Sequence, residues 1–272
     1  MGMIYDRREQ VRLLNQDIVG EHDAILHYLT HAWTVAYQFG PQIEQIAKDE
    51  MRHLKWLAHT VVALQGVPDL SIPPVIARAF LDEALESDIK AEMVAIARYR
   101  EHITIIADRR VQDLLQRIVV DEEDHLHLFH GFRDSQHGEP WGEGNPTESV
   151  EDTASRLQLL VSMEYQQVIG YLFSSFIGIH RRSVGMGDED YAVDEMKHLG
   201  WIGQQMANLG QTPLFGDSIS AHEESEMAQY LKVRKWAREC QHQLLPMLDR
   251  IIQHERYQMQ NKAADGWTVG TP

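Results

Sequence analysis

One short pattern, present twice, constrains this chain more than any other feature. It reads Asp49-Glu50-Met51-Arg52-His53 and, 145 positions further on, Asp194-Glu195-Met196-Lys197-His198. On a helix, positions three apart share a face, so each copy points a carboxylate and an imidazole the same way. One helix thereby offers a metal both an oxygen and a nitrogen ligand. The text after each copy repeats as well, Leu64-Gln65-Gly66-Val67-Pro68 against Leu209-Gly210-Gln211-Thr212-Pro213. The pattern predicts a duplicated helical bundle that binds metal.

The first half divides into four segments of helical period. One from about 8 to 38 carries Glu21 beside its apolar stripe, and Gly40-Pro41 ends it. The next, from about 42 to 65, carries Glu50 and His53. Gly66 to Pro74 is too rich in proline to be helical and suits a long crossover along a bundle. A third segment, about 78 to 106, holds Glu92, and a fourth, about 109 to 131, holds Glu122 and His125. The order is Glu, Glu-x-x-His, Glu, Glu-x-x-His, one element per helix, which is the ligand pattern of carboxylate-bridged di-metal four-helix bundles. Four Glu and two His without partners in a bundle core would each cost several kcal/mol of desolvation, and a divalent pair offsets that cost. The competing reading, ion pairs on polar surfaces, lacks Lys and Arg at matching spacing.

The segment 136–148 is rich in Gly, Pro and polar residues and reads as a linker between domains at 1–135 and 149–272. Beyond it, a helix from about 148 to 182 repeats the spacing of Glu21 and Tyr28 as Glu164 and Tyr171. Glu195 and His198 follow on a helix from about 188 to 209, and Glu226, set against Glu92, lies on one from about 220 to 244. A last helix after Pro246 places Glu255 on Glu122 and Gln258 on His125. The second set thus keeps four Glu and His198 but exchanges an imidazole for an amide, a poorer ligand for iron or zinc. A weaker pair, a single metal and an empty site all stay open on this reading. A further Glu-x-x-His, Glu239/His242, has no counterpart in the first half and reads as chance.

Composition removes other classes. A single Cys excludes a disulfide framework and Cys-rich metal sites, and fits a reducing cytoplasm. A net charge of −16 argues against nucleic acid and suits cations. No apolar run approaches the ~18 residues of a membrane span.

These motifs resemble the ferritin-like superfamily, most closely its bacterioferritin and rubrerythrin branches. Asp-Glu-Met-Lys/Arg-His, Asp-Glu-Glu-x-His over 121–125 and Glu-x6-Tyr-Leu at Glu21 and Glu164 carry the resemblance. It implies an all-α chain of two tandem ferritin-like four-helix bundles with a long crossover between helices 2 and 3, the connection through Pro213 in the second half being shorter. It implies two irons per complete site, held by Glu21, Glu50, His53, Glu92, Glu122 and His125, with Glu50 and Glu122 as bridges. Manganese suits the same ligands. Tyr28 and Tyr171 match a tyrosine near the iron pair. Met51 and Met196 match a haem-ligating position, and packing is the favoured reading of both. A fifth short helix and a Cys-x-x-Cys module are both missing from the pattern. The activity implied is ferroxidase-like reaction of bound iron with O2 or peroxide. The alternatives are a di-iron or dimanganese oxygenase or oxidase acting on an organic substrate, and a non-enzymatic metal-binding protein. Family members commonly form homo-oligomers.

Overall fold

The computed structural model describes residues 3–34, 38–73, 75–76, 78, 80–135, 148–178, 187–215 and 225–264. The chain falls into two compact units, Met1–Glu143 and Gly144–Pro272. Among the described residues the regular structure is entirely helical, apart from one isolated bridge between Ile4 and Ile106. No helix among them is long and apolar enough to cross a membrane.

The first unit contains α1 (Arg7–Thr34), α2 (Gly40–Ala63), α3 (Leu81–Ile105) and α4 (Arg109–Ser135). α1 packs on α2 and α3, and α4 packs on α3 and α2, so the four helices enclose one core. The apolar stripes face inward at helical spacing: Leu14, Ile18 and Ile25 on α1; Ile43, Ile46, Leu54 and Leu57 on α2. α2 begins at Gly40-Pro41, with proline in the first turn where its missing N–H costs nothing. A Cβ on Gly40 would lie 2.7 Å from the Ala32 carbonyl oxygen, so the return of α2 against α1 requires glycine.

Leu64 caps α2, and the next residue, Gln65, takes the left-handed conformation at φ 65°. The second unit ends its matching helix the same way, with Leu209 followed by Gly210 at φ 72°. Glycine is the usual residue for this stop, and Gln65 adopts it at a cost.

The crossover that follows is strapped along α1. Asn15 donates to Val67 O at 3.0 Å and accepts from the Asp69 N–H at 3.0 Å. His22 Nδ1 meets Ser71 O at 3.0 Å, and His27 Nε2 accepts from the Ile76 N–H at 3.2 Å. Each side chain satisfies a backbone group that no helix or sheet would. Val67, Asp69, Ser71 and Ile76 of the crossover are thereby tied to α1.

The second unit contains α5 (Glu148–Ile177), α6 (Asp188–Asn208), α7 (Glu226–Cys240) and α8 (Leu245–Ala264), with a short 3-10 turn at His242–Leu244 before α8. The wiring repeats: α5 packs on α6 and α7, and α8 packs on both as well. Gln158, 143 positions after Asn15, strapped its own crossover by both faces of its amide. It donates to Leu214 O at 2.6 Å and accepts from the Leu214 N–H at 2.9 Å. The expected linker over 136–148 lies outside the described residues except for Glu148, which opens α5, and the expected ends of the first and fifth helices and start of the seventh fall partly outside them.

Candidate metal centre

Each helix of the first unit turns one glutamate into the core. Glu21, Glu50, Glu92 and Glu122 are 1–2% exposed, and His53 and His125 are 0% and 4%. Their ligand atoms form two groups, Glu21/Glu50/His53/Glu122 and Glu50/Glu92/Glu122/His125, each with all four atoms within 4.8 Å of one another. Glu50 and Glu122 belong to both. The structure thus brings all six predicted residues of this half together, with the two expected bridging carboxylates in the middle.

Both imidazoles present Nδ1 to the carboxylates. His53 Nδ1 lies 2.9 Å from Glu50, 3.1 Å from Glu122 and 3.5 Å from Glu21. His125 Nδ1 lies 2.9 Å from Glu50 and 3.6 Å from Glu122. The outward nitrogens are held crosswise: His53 Nε2 is 3.3 Å from Asp121, and His125 Nε2 is 3.7 Å from Asp49. Each of these aspartates directly precedes a shared glutamate, on the helix opposite its histidine. A carboxylate behind a ligating imidazole fixes its tautomer and raises its basicity. Their role is carried by the Asp-Glu dipeptides, a signal present in the sequence that spacing arguments about Glu and His alone pass over.

Two tyrosines orient the remaining carboxylates. The Tyr28 hydroxyl donates to Glu92 at 2.7 Å, and the Tyr99 hydroxyl donates to Glu21 Oε1. Beyond them the same interface carries two more buried pairs. His102 Nδ1 meets Asp17 at 2.9 Å, with Arg98 donating to the same carboxylate at 2.9 Å, and His31 Nδ1 meets Asp88 at 2.8 Å. In all four pairs the two residue numbers add to 119 or 120, which is the register of antiparallel α1 and α3. None of His22, Asp23, His27 and His31 joins a ligand group.

Burial dominates the electrostatics. Desolvation, then the charges of Glu122 and Glu50, raise the Glu21 carboxyl well above its ordinary range, and Glu92 is raised for the same reasons. Burial would depress the histidines, but the surrounding carboxylates win. The Glu122 and Glu50 carboxylates beside it push His125 up to about 10, and His53 rises further. Two imidazolium charges therefore balance the carboxylates of the metal-free cluster.

The donors fit a cation pair. Glu21 Oε2, Glu50 Oε1, Glu122 Oε1 and His125 Nδ1 are buried without a well-aligned hydrogen bond. Buried polar atoms left in that state normally have an ion or water to account for them.

In the second unit the structure groups Glu164, Glu195, His198 and Glu255 within the same 4.8 Å limit, all four buried. Glu226 opens α7, half-buried, and is not in this group. The reason is register. The Tyr230 hydroxyl donates to Glu164 as that of Tyr99 does to Glu21, so α7 aligns with α3 through Tyr230. On that alignment the position matching Glu92 is 223, three residues before Glu226 and outside the described residues. Gln258 is buried at the His125 position, its amide against Glu195. His254 takes the place of Asp121, its Nδ1 3.2 Å from His198 Nε2.

A four-helix bundle with a buried, carboxylate-bridged pair of metal-ligand groups defines the class. Residues 11–135 match the family model described as Ferritin: Ferritin-like domain. The first unit belongs to the ferritin-like superfamily. No curated protein matches the chain.

Proposed function

We propose that the first unit binds two Fe(II) ions as substrate and passes their electrons to O2 or peroxide. The observation that supports this most directly is the sharing of Glu50 and Glu122 between two otherwise separate ligand groups. Shared carboxylates set two cations close together, which suits a two-electron reduction by one-electron donors. Two Fe(II) give up two electrons, and O2 with two protons becomes hydrogen peroxide; with peroxide as oxidant, two further protons yield water.

The chain's own part is to hold and balance charge. Glu50 and Glu122 span both positions, while Glu21 with His53, and Glu92 with His125, close the two ends. Tyr99 keeps Glu21 Oε1 occupied and leaves Oε2 facing His53, and Tyr28 fixes the Glu92 carboxyl. Asp121 and Asp49 hold the imidazoles with Nδ1 inward. An oxygen-rich set with one imidazole per position accepts Fe(II) and Mn(II), and lets the carboxylates absorb the added charge when iron is oxidised.

The test is anaerobic loading with Fe(II), followed by an O2 pulse with uptake and ferric absorbance recorded together. Uptake should be fast in the intact chain, and His53→Ala or His125→Ala should slow it by more than about tenfold, the usual scale for losing a ligand or its support. Tight Fe(II) binding with uptake no faster than in buffer would overturn the proposal and leave a metal-buffering role.

A further inference from the structure

We infer that the second unit is a site for one divalent cation, held by Glu164, Glu195, His198 and Glu255, where the first unit takes a pair. This stands whether or not the first unit oxidises iron.

The four residues correspond one to one with Glu21, Glu50, His53 and Glu122, the group at one end of the first centre. Their geometry is kept. His198 Nδ1 lies 3.0 Å from Glu195, 3.2 Å from Glu255 and 3.4 Å from Glu164, against 2.9, 3.1 and 3.5 Å around His53. Glu164 Oε2 is fully buried and aimed into the group with no well-aligned hydrogen bond, and so are both carboxylate oxygens of Glu195. Three carboxylates and an imidazole converging in a buried space are a ligand set for a first-row divalent ion. Tyr230 fixes the far oxygen of Glu164, so the near one stays directed inward.

The other end of the centre has changed. Its imidazole is replaced by Gln258, whose amide is turned to Glu195. A second ion there would gain at best a neutral amide oxygen in place of an imidazole. The remaining imidazole is also differently supported. His198 Nε2 faces the His254 ring at 3.2 Å where His53 faces the Asp121 carboxylate. A ligating histidine backed by an imidazole where its counterpart has a carboxylate is the weaker donor, so affinity should fall about 10- to 100-fold below that of the matching end of the first centre.

Anaerobic Mn(II) is the probe, because an isolated Mn(II) gives a resolved six-line electron paramagnetic resonance spectrum and a close pair gives a broad coupled one. The intact chain should bind about three Mn(II), the last of them weakest, with an isolated spectrum emerging as it fills. A variant with His53→Ala and His125→Ala, checked for helicity, should retain about one Mn(II) with the isolated spectrum, and adding His198→Ala should abolish it. Four Mn(II) in the intact chain, a coupled spectrum in the His53/His125 variant, or no Mn(II) sensitive to His198→Ala would each overturn the inference. Failure of iron oxidation in the first unit would leave all of these readings unchanged.

Discussion

Loading the first centre with metal should drive protons out of it, and the number can be worked from the structure. In the metal-free cluster His53 and His125 are both held protonated far above neutrality by the carboxylates around them, His125 up to about 10. A ligating imidazole must be neutral, so binding a pair of cations at pH 7 expels both of these protons. Glu21 and Glu92, raised by burial and by their acidic neighbours, add to the total as far as they remain protonated. The sign follows directly: protons bound in the free site and absent from the loaded one make affinity rise with pH. Each displaced proton is worth about 1.4 kcal/mol, or tenfold, per pH unit. Two imidazole protons give about a hundredfold per pH unit for the pair, and the carboxyls steepen this further. The increase should persist across pH 6 to 8 and, once His125 has lost its proton near 10, shrink to the roughly tenfold per pH unit that His53 still gives. Titration with Mn(II) in weakly buffered solution containing a pH indicator, repeated in His198→Ala so that only the first centre counts, reads the protons directly. Release of less than about one proton per pair, or affinity unchanged between pH 6 and 8, would refute the charge assignment.

Other expectations follow from single contacts. Asp17→Ala leaves Arg98 and His102 facing a buried gap and should destabilise the metal-free first unit by about 3 kcal/mol, read from urea unfolding. Gln65→Gly should raise stability in the same assay by about 1 kcal/mol, since the left-handed backbone there suits glycine and the contact it loses, with Arg7 at 3.4 Å, is exposed and long. Asp121→Asn should weaken metal binding at the His53 end about 10- to 100-fold without unfolding the bundle, measured by competition with a chelator.

The fold was legible because it is written twice in residues whose chemistry is rare in a core. Glu-x-x-His on two helices and lone glutamates on two others left few arrangements, and the proline-rich crossover separated them correctly. The tyrosines were harder. Tyr28 stood out through its fixed distance from Glu21, whereas Tyr99 and Tyr230 sit in apolar stripes, where a tyrosine reads as packing until its hydroxyl partner is known. Asp17, His31, Asp88 and His102 were hidden for a related reason: each is compensated only by a residue on another helix. The placement of Glu226 opposite Glu92 followed local similarity, Ser225-Glu226-Met227 against Ala91-Glu92-Met93. The contact between Tyr230 and Glu164 gives the helix register instead, which no local match can supply. His254, one residue before Glu255 and so about 100° round the helix from it, stands behind His198 and outside the ligand group, a contact with another helix that no local spacing supplies.

The paired residues between α1 and α3 also act as an index mark. Sliding one helix past the other by a single turn, about 5.4 Å, would set Asp17 near Tyr99 and strand His102, and would do the same to His31 and Asp88 at the far end. Each stranded buried charge costs about 3 to 5 kcal/mol. No neighbouring alignment is cheap, so the ligands stay in step while the centre is empty, and an incoming ion meets a frame already set. In the second unit the marks at both ends are erased, with Leu160 and Ser174 standing at the positions that match Asp17 and His31. That bundle has fewer fixed points of its own, and a bound cation would contribute proportionally more to keeping its helices aligned.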